Sequence, residues 1–328
     1  MSDLMIHAEG LVKTYGTTRA LDGVDLDVRA GSVLGLLGPN GAGKTTAVKI
    51  LTTLSVPDSG VARVAGFDVL RHPDLVRRHI GVTAQNATLD ELLTGRANLV
   101  MTGELSGLSG RAAKEQAARL LEQFSLADAA DRVLRGYSGG MRRRLDLAAS
   151  LMSTPEVLFL DEPTTGLDPV SRQQMWGIIR ALVADGVTLL LTTQYLDEAD
   201  ALADRIVVID HGNVIADGTA SELKAATGAA RLDVTLTAPQ PAAVPALRAL
   251  IDGPVDVSQD GRRLQAAVPH RPGLATEVVR ALDGVGALVD DVAVHQPSLD
   301  DVFFALTGSP SAPTPSREAD LELQGATS

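Results

Sequence analysis

Two runs of unbroken apolar residues, Val33-Leu34-Gly35-Leu36-Leu37 and Val157-Leu158-Phe159-Leu160, interrupt a chain whose polar and apolar positions otherwise alternate or recur with helical period. A strand without a polar face is buried on both sides, as in a parallel sheet covered by helices. Strand character resumes at Thr188 to Leu191 and Arg205 to Ile209, and helical character at Ser221 to Ala226. Between the two apolar runs, Arg111 to Leu121 combines strong helix formers with a helical period, so an inserted helical segment is expected over about 88–152. Helices are also expected from Thr45 to about Leu54 and from about Met141 to Met152. His211-Gly212-Asn213 reads as a hairpin turn. The fold class is α/β.

Beyond Gly228 the pattern changes. Arg231 to Thr237 alternates like a strand, Ala242 to Ile251 is helical, and Val255 to Ser258 with Leu264 to Val268 flank Asp260-Gly261 as a hairpin. Leu274 to Leu282 is helical and Ala287 to Val294 returns to a strand. This order is βαββαβ, the ferredoxin-like split unit, so a small α+β C-terminal domain is expected over 228–308. A short helix, Ser298 to Leu306, closes it or docks elsewhere. From 309 to 328 Ser, Pro, Ala and Thr dominate without period, which predicts a disordered tail.

Candidate chemistry sits at the ends of the apolar strands. Gly38-Pro39-Asn40-Gly41-Ala42-Gly43-Lys44-Thr45-Thr46 follows the first and opens a helix, the context a phosphate-binding loop requires. Its glycines let backbone N–H groups point at phosphate oxygens, beside a positive helix N-terminus. Lys44 is placed to reach β- and γ-phosphates and Thr45 to ligate Mg²⁺. The second run delivers Asp161 and Glu162 to its C-terminal end, where ligands of α/β sheets gather. Asp161 suits magnesium through its water shell, and Glu162 suits the water that attacks the γ-phosphate. Ser138-Gly139-Gly140 precedes another helix; alone it is a helix cap with a flexible lead-in, or a site for a second phosphate.

Composition removes rival classes. With 41 acidic and 29 basic residues the net charge is −12, which repels a nucleic acid backbone, and aromatics at 3% leave few stacking platforms, so no nucleic acid partner is expected. Without cysteine there is neither a disulfide framework nor a Cys-ligated zinc site. Met1-Ser2-Asp3-Leu4 lacks the basic start and apolar core of a secretory signal. A membrane-spanning helix needs about 20 apolar residues. The candidate around Val187 to Leu191 is far shorter, so any channel is expected in a separate protein.

The phosphate loop, Gln85, the Ser-Gly-Gly segment, the strand ending in Asp161-Glu162 and Thr165-Gly166-Leu167-Asp168, in that order, resemble the nucleotide-binding subunit of an ABC transporter, a P-loop NTPase with a helical subdomain. The resemblance covers about Met1 to Leu223 and implies an ATPase domain over 1–227. It implies that two copies dock head to tail, each ATP lying between one copy's phosphate loop and the other's Ser138-Gly139-Gly140. It also implies that Tyr15 stacks on adenine, that Gln85 touches magnesium, and that Asp168 signals across the dimer. The segment from Gln85 to Leu99 would meet a transmembrane permease at the cytoplasmic face of the membrane. Thr192 to Asp200 and Pro297 to Phe303 are similar to the ATPases of daunorubicin-resistance-type exporters. Gln194 stands where most of the wider family has histidine, and an amide donates a hydrogen bond without titrating at neutral pH. A soluble ATPase without a channel and an ATP-gated subunit with weak turnover are the alternatives to an exporter subunit.

Overall fold

The protein is described here from a computed structural model covering residues 4–83, 89–226, 230–268, 273–295 and 298–307. Gln85 and the Ser/Pro-rich tail lie outside the described residues. The chain divides into two compact units, with the division between Ala220 and Ser221.

The first unit contains two sheets. Strands β1 (Leu4–Tyr15), β2 (Thr18–Arg29), β4 (Ser59–Val64) and β5 (Phe67–Asp68) form an antiparallel sheet in the order β2-β1-β4-β5. Strands β3 (Val33–Leu37), β6 (Ile80–Thr83), β7 (Val157–Asp161), β8 (Thr188–Thr193), β9 (Arg205–Asp210) and β10 (Asn213–Gly218) form the other, in the order β10-β9-β3-β8-β7-β6. All neighbours in this second sheet are parallel except the β9–β10 hairpin. That hairpin turns on His211 and Gly212, both with positive φ (46° and 78°), as a two-residue turn of the primed type demands.

Helix α1 (Lys44–Leu51) follows β3 and α2 (Pro73–His79) precedes β6. The inserted helical segment holds α3 (Gly95–Leu105), α4 (Gly110–Gln123) and α5 (Gly139–Ser150), with α3 and α4 capped by the Thr94 and Ser109 hydroxyls. Helices α6 (Pro169–Ala184) and α7 (Leu196–Leu202) complete the unit, and α8 (Ala220–Ala226) runs from its last residue into the next.

Every residue of β3, β7 and β8 is buried, as the unbroken apolar runs predict, because each strand faces two cores. The period of two sorts them: Val157 and Phe159 join Ile6, Leu26, Val48 and Ile50 on one side, while Leu158 and Leu160 join Leu120, Phe124, Leu147 and Ile179 on the other. One strand therefore clamps the antiparallel sheet and α1 to one face and the helical segment to the other.

The second unit arranges β11 (Ala230–Leu236), α9 (Ala243–Ile251), β12 (Asp256–Val257), β13 (Arg263–Val268), α10 (Leu274–Asp283) and β14 (Val289–His295) as an antiparallel sheet in the order β12-β13-β11-β14. That order and connectivity are those of the ferredoxin-like split unit. Leu232, Val234, Leu247, Leu264, Val278 and Leu282 fill its core. Helix α11 (Leu299–Thr307) buries Leu299, Val302 and Phe303.

Phe159 is fully buried on β7, between β8 and β6 of the parallel sheet. Phe159→Ala should lower unfolding stability by about 3–5 kcal/mol, read from chemical denaturation, because the aromatic leaves a cavity that a β-sheet interior collapses into poorly. An unchanged denaturation midpoint would mean that Phe159 does not pack in this core.

Candidate functional site

The parallel register brings three strand ends to one edge. Asp161 at the end of β7 stands opposite Thr192, and Leu37 at the end of β3 stands opposite Thr193. The loops that follow, 38–43 after β3, 162–168 after β7 and 194–195 after β8, therefore leave the sheet side by side. Ala20, Asn40, Gly41, Ala42, Gly43, Lys44, Thr45, Thr46, Glu162, Thr165 and Gln194 line a cavity of about 510 Å³ at this edge.

Close packing shapes the first loop. A Cβ on Gly38 would stand 2.2 Å from the Ile209 carbonyl oxygen, and one on Gly43 2.4 Å from the Ala20 carbonyl oxygen. Gly43 also has φ +114° and caps α1, a conformation that side chains disfavour. The Gly212 N–H donates to the Ala42 carbonyl at 2.9 Å, so the β9–β10 hairpin braces the loop. Lys44 is 5% exposed. Its Nζ donates to the carbonyls of Gly38 (2.7 Å) and Pro39 (3.0 Å), folding the ammonium back onto its own loop. Burial lowers the Lys44 pKa, while the Glu162 and Asp161 carboxylates oppose that shift. Helix α1 begins at Lys44 and stops at Leu51, short of the Leu54 expected from pattern, where Thr52 and the left-handed Thr53 turn the chain.

The two carboxylates occupy different settings. Asp161 is 6% exposed and accepts from the Thr192 hydroxyl at 2.5 Å; the Thr45 hydroxyl lies 3.3 and 3.5 Å from its two oxygens. Glu162 has φ +49°, a left-handed conformation that costs a non-glycine residue about 1–2 kcal/mol. Its N–H donates to both the Thr192 carbonyl and hydroxyl at 3.1 Å, and its Oε2 accepts from the Thr165 hydroxyl at 3.3 Å. Thr192 thus holds both acids, the carboxylate of one and the backbone of the other. The sequence places Thr192 and Thr165 within motifs but gives neither a role. The signal for Thr192 was its place in register opposite Asp161, which only strand pairing reveals.

Gln194 reaches the cavity from the end of β8, and the Tyr195 N–H donates to the Thr193 hydroxyl at 2.9 Å. Behind them Arg172 lies over the Tyr195 ring at 5.0 Å, and the Trp176 indole N–H donates to fully buried Glu198 at 3.3 Å. Burial raises the Glu198 pKa, against the pull of hydrogen bonds from Thr193, Thr164 and Trp176 and of the Arg172 charge.

Other expected residues stand apart from this cavity. The Ser138 hydroxyl caps α5, accepting from the Met141 N–H at 3.2 Å, so Gly139 and Gly140 form the first turn of a helix expected to begin at Met141. Ser138 and Gly139 are exposed and, with Gly140, are not among the lining residues. Tyr15 ends β1 half-exposed, its hydroxyl 3.3 Å from that of Ser55 and its ring 5.4 Å from Lys13 Nζ, also outside the lining. Asp168 caps α6, accepting from the Ser171 N–H (2.9 Å) and hydroxyl (2.6 Å), which hold its carboxyl below the usual range.

Among the described residues no helix is long and apolar enough to cross a membrane. Residues 21–165 match the family model described as ABC transporter. The chain is 54% identical over 321 residues to the daunorubicin resistance ATP-binding protein DrrA2 of Streptomyces coeruleorubidus, covering 97% of this chain and all of that one. It is 39% identical over 307 residues to the Nod factor export ATP-binding protein I of Ralstonia nicotianae, covering 93% and 94% of the two chains. It is also similar to a dimeric structure of the ATP-binding cassette MJ0796 in a post-hydrolysis state with ADP and Pi, with a TM-score of 0.61 and 25% identity over 66% of this chain and 98% of that one. A phosphate-binding loop joined in one cavity to a strand-end carboxylate pair, and likeness along nearly the whole chain, lead to one conclusion: the chain belongs to the ABC transporter family, as an ATP-binding and ATP-hydrolysing subunit of the daunorubicin-resistance type.

Proposed function

We propose that this subunit powers export of a hydrophobic, drug-like compound through a separate transmembrane permease, working as a head-to-tail pair of copies. One observation carries the pairing. Lys44, Thr45, Glu162 and Gln194 share a cavity, while Ser138, Gly139 and Gly140 lie outside it at the start of α5, the first two of them exposed. A helix N-terminus opening on the exposed Gly139 suits a phosphate supplied from elsewhere, and a second copy is the source that gives each cavity a matching lid. That the similar MJ0796 cassette is described as dimeric supports pairing as such. The names of the relatives support a drug-like cargo.

In this reading the loop from Gly38 to Thr46 wraps the phosphates with its N–H groups, and Lys44 exchanges the Gly38 and Pro39 carbonyls for β- and γ-phosphate oxygens. Tyr15 stacks on adenine. Thr45 and Asp161 would hold Mg²⁺, their oxygens being hard donors 3.3 Å apart, with Gln85 as a third ligand. When bound, the ion neutralises phosphate charge. Glu162, turned toward the cavity by its left-handed backbone, accepts the proton of the attacking water. Gln194 donates its amide hydrogen bond to the γ-phosphate or that water, and Asp168 links the two copies. The subunit sits peripherally at the cytoplasmic face, and Leu92, left 76% exposed beside the start of α3, supports permease docking over 85–99.

Glu162→Gln should keep ATP binding while turnover falls by about 10²–10⁴-fold, with an ATP-trapped dimer visible by light scattering. Near-normal phosphate release would overturn the assignment of the base. Ser138→Arg and Lys44→Ala should each be inactive alone, yet an equal mixture should recover roughly a quarter of normal turnover if pairing is random, since each heterodimer keeps one undamaged composite site. A mixture as silent as its components would overturn the shared site.

A further inference from the structure

Three arginines follow one another in α5 and serve three different partners. Arg142 pairs with Glu91 at 2.9 Å, and Arg144 donates to the Phe124 carbonyl at 3.1 Å. Arg143 turns to the strand end: its Nε donates to the Pro163 carbonyl at 2.7 Å, and its Nη2 to the carbonyls of Glu162 at 2.6 Å and Asp161 at 3.1 Å. Its side chain is 14% exposed and lies 3.8 Å from the buried Asp146 carboxylate one turn along the same helix. Three consecutive carbonyls thus converge on one guanidinium.

Such convergence needs the turn that Glu162 makes. In a regular strand successive carbonyls point to opposite sides, so one donor group cannot take three in a row. The left-handed step at Glu162, φ +49°, breaks that alternation. A planar fork with several N–H donors and no acceptor suits the result; a lysine keeps the charge and the donors but not the fork, and a glutamine is shorter and brings an acceptor with its single NH₂. The conformation is held from two directions. Thr192 takes the Glu162 N–H from the β8 side, and Arg143 takes its carbonyl from the α5 side.

We propose that Arg143 is a positioning residue for hydrolysis: by gripping the carbonyls of Asp161, Glu162 and Pro163 it keeps Glu162 in the backbone conformation that sends its carboxylate to the phosphate cavity. This rests on the reading of Glu162 as the base. Arg143 lies on the helix that Ser138 caps, so the grip also ties the orientation of the base to the seating of that helix. Arg143 does not touch the cavity itself; the residues that line it come from other elements.

The test compares Arg143→Ala, Arg143→Gln and Arg143→Lys with the unaltered full chain in steady-state and single-turnover γ-phosphate release, alone and combined with Glu162→Gln. Arg143→Ala should lower kcat by about 10–100-fold, the scale of a misplaced catalytic group, with the KM for ATP changed less than about threefold. Arg143→Lys, which keeps the length, the charge and three donors but loses the fork, should fall between, and Arg143→Gln, shorter and bringing an acceptor toward the carbonyls, should lie nearer alanine. In the Glu162→Gln background Arg143→Ala should add less than about a twofold loss, since no base remains to be positioned. A purely structural role would instead carry its full loss into that background, or raise KM in step with the fall in kcat, and either outcome overturns the proposal. So does unchanged kcat in the glutamine variant, which serves if the alanine variant does not fold. Near-normal turnover of Glu162→Gln alone would point to failure of the base assignment; slow Glu162→Gln with fast Arg143→Ala would point to failure of the proposal about Arg143.

Discussion

The parallel pairing of β3, β8 and β7 in a fixed register is the constraint from which the geometry of the site follows. Parallel neighbours end at the same edge, so loops that are far apart in sequence leave the sheet together, and a one-residue slip would turn each terminal side chain to the opposite face. Asp161 opposite Thr192 and Leu37 opposite Thr193 fix that alignment. The alignment is affordable because all three strands are sealed on both faces, with odd and even residues of β7 committed to separate cores. Core packing and site geometry are thus one arrangement: the hydrophobic alternation that holds two layers on the sheet also sets which side chains meet at its edge.

Much of this was legible from residues alone, for identifiable reasons. Unbroken apolar runs marked β3 and β7, because burial on both faces leaves no polar position in the strand. The glycines at 38 and 43 marked the loop, because neighbouring carbonyls leave no room for a side chain there. The βαββαβ order of the second unit was written in alternation and turn residues. What escaped depends on distant pairing. In the antiparallel sheet β1 carries irregular register and mixed burial, so its period is blurred, whereas Val24 to Val28 of β2 alternates cleanly and is a strand signal the sequence does hold. Thr192 and Arg143 acquire meaning only beside Asp161 and Glu162, and no local pattern shows that Glu162 has positive φ. The compact division at Ala220 falls ahead of the compositional change at 228, and α8, which follows the β9–β10 hairpin, spans the interval.

Charge is handled economically in the cavity. A buried ammonium without partners would be costly, yet Lys44 is satisfied by two carbonyls of its own loop and faces two acids. The loop is therefore held together by its own contacts, and on the proposed reading phosphate entry would exchange one set of Lys44 acceptors for another instead of organising a disordered segment. Such preorganisation keeps the ordering cost out of the binding step.

The left-handed backbone at Glu162 sets stability and work against each other at a single position. Glycine there would relieve the strain and add no steric conflict, offset in part by chain entropy, so thermal resistance would favour Glu162→Gly, while on the proposed reading of Glu162 as the base hydrolysis would be lost. Selection for expression level or heat tolerance alone would drift toward that change. Robust, well-behaved protein is consequently a poor proxy for a working pump in this chain, and libraries screened only for folding would enrich idle variants at the residue where idleness is cheapest.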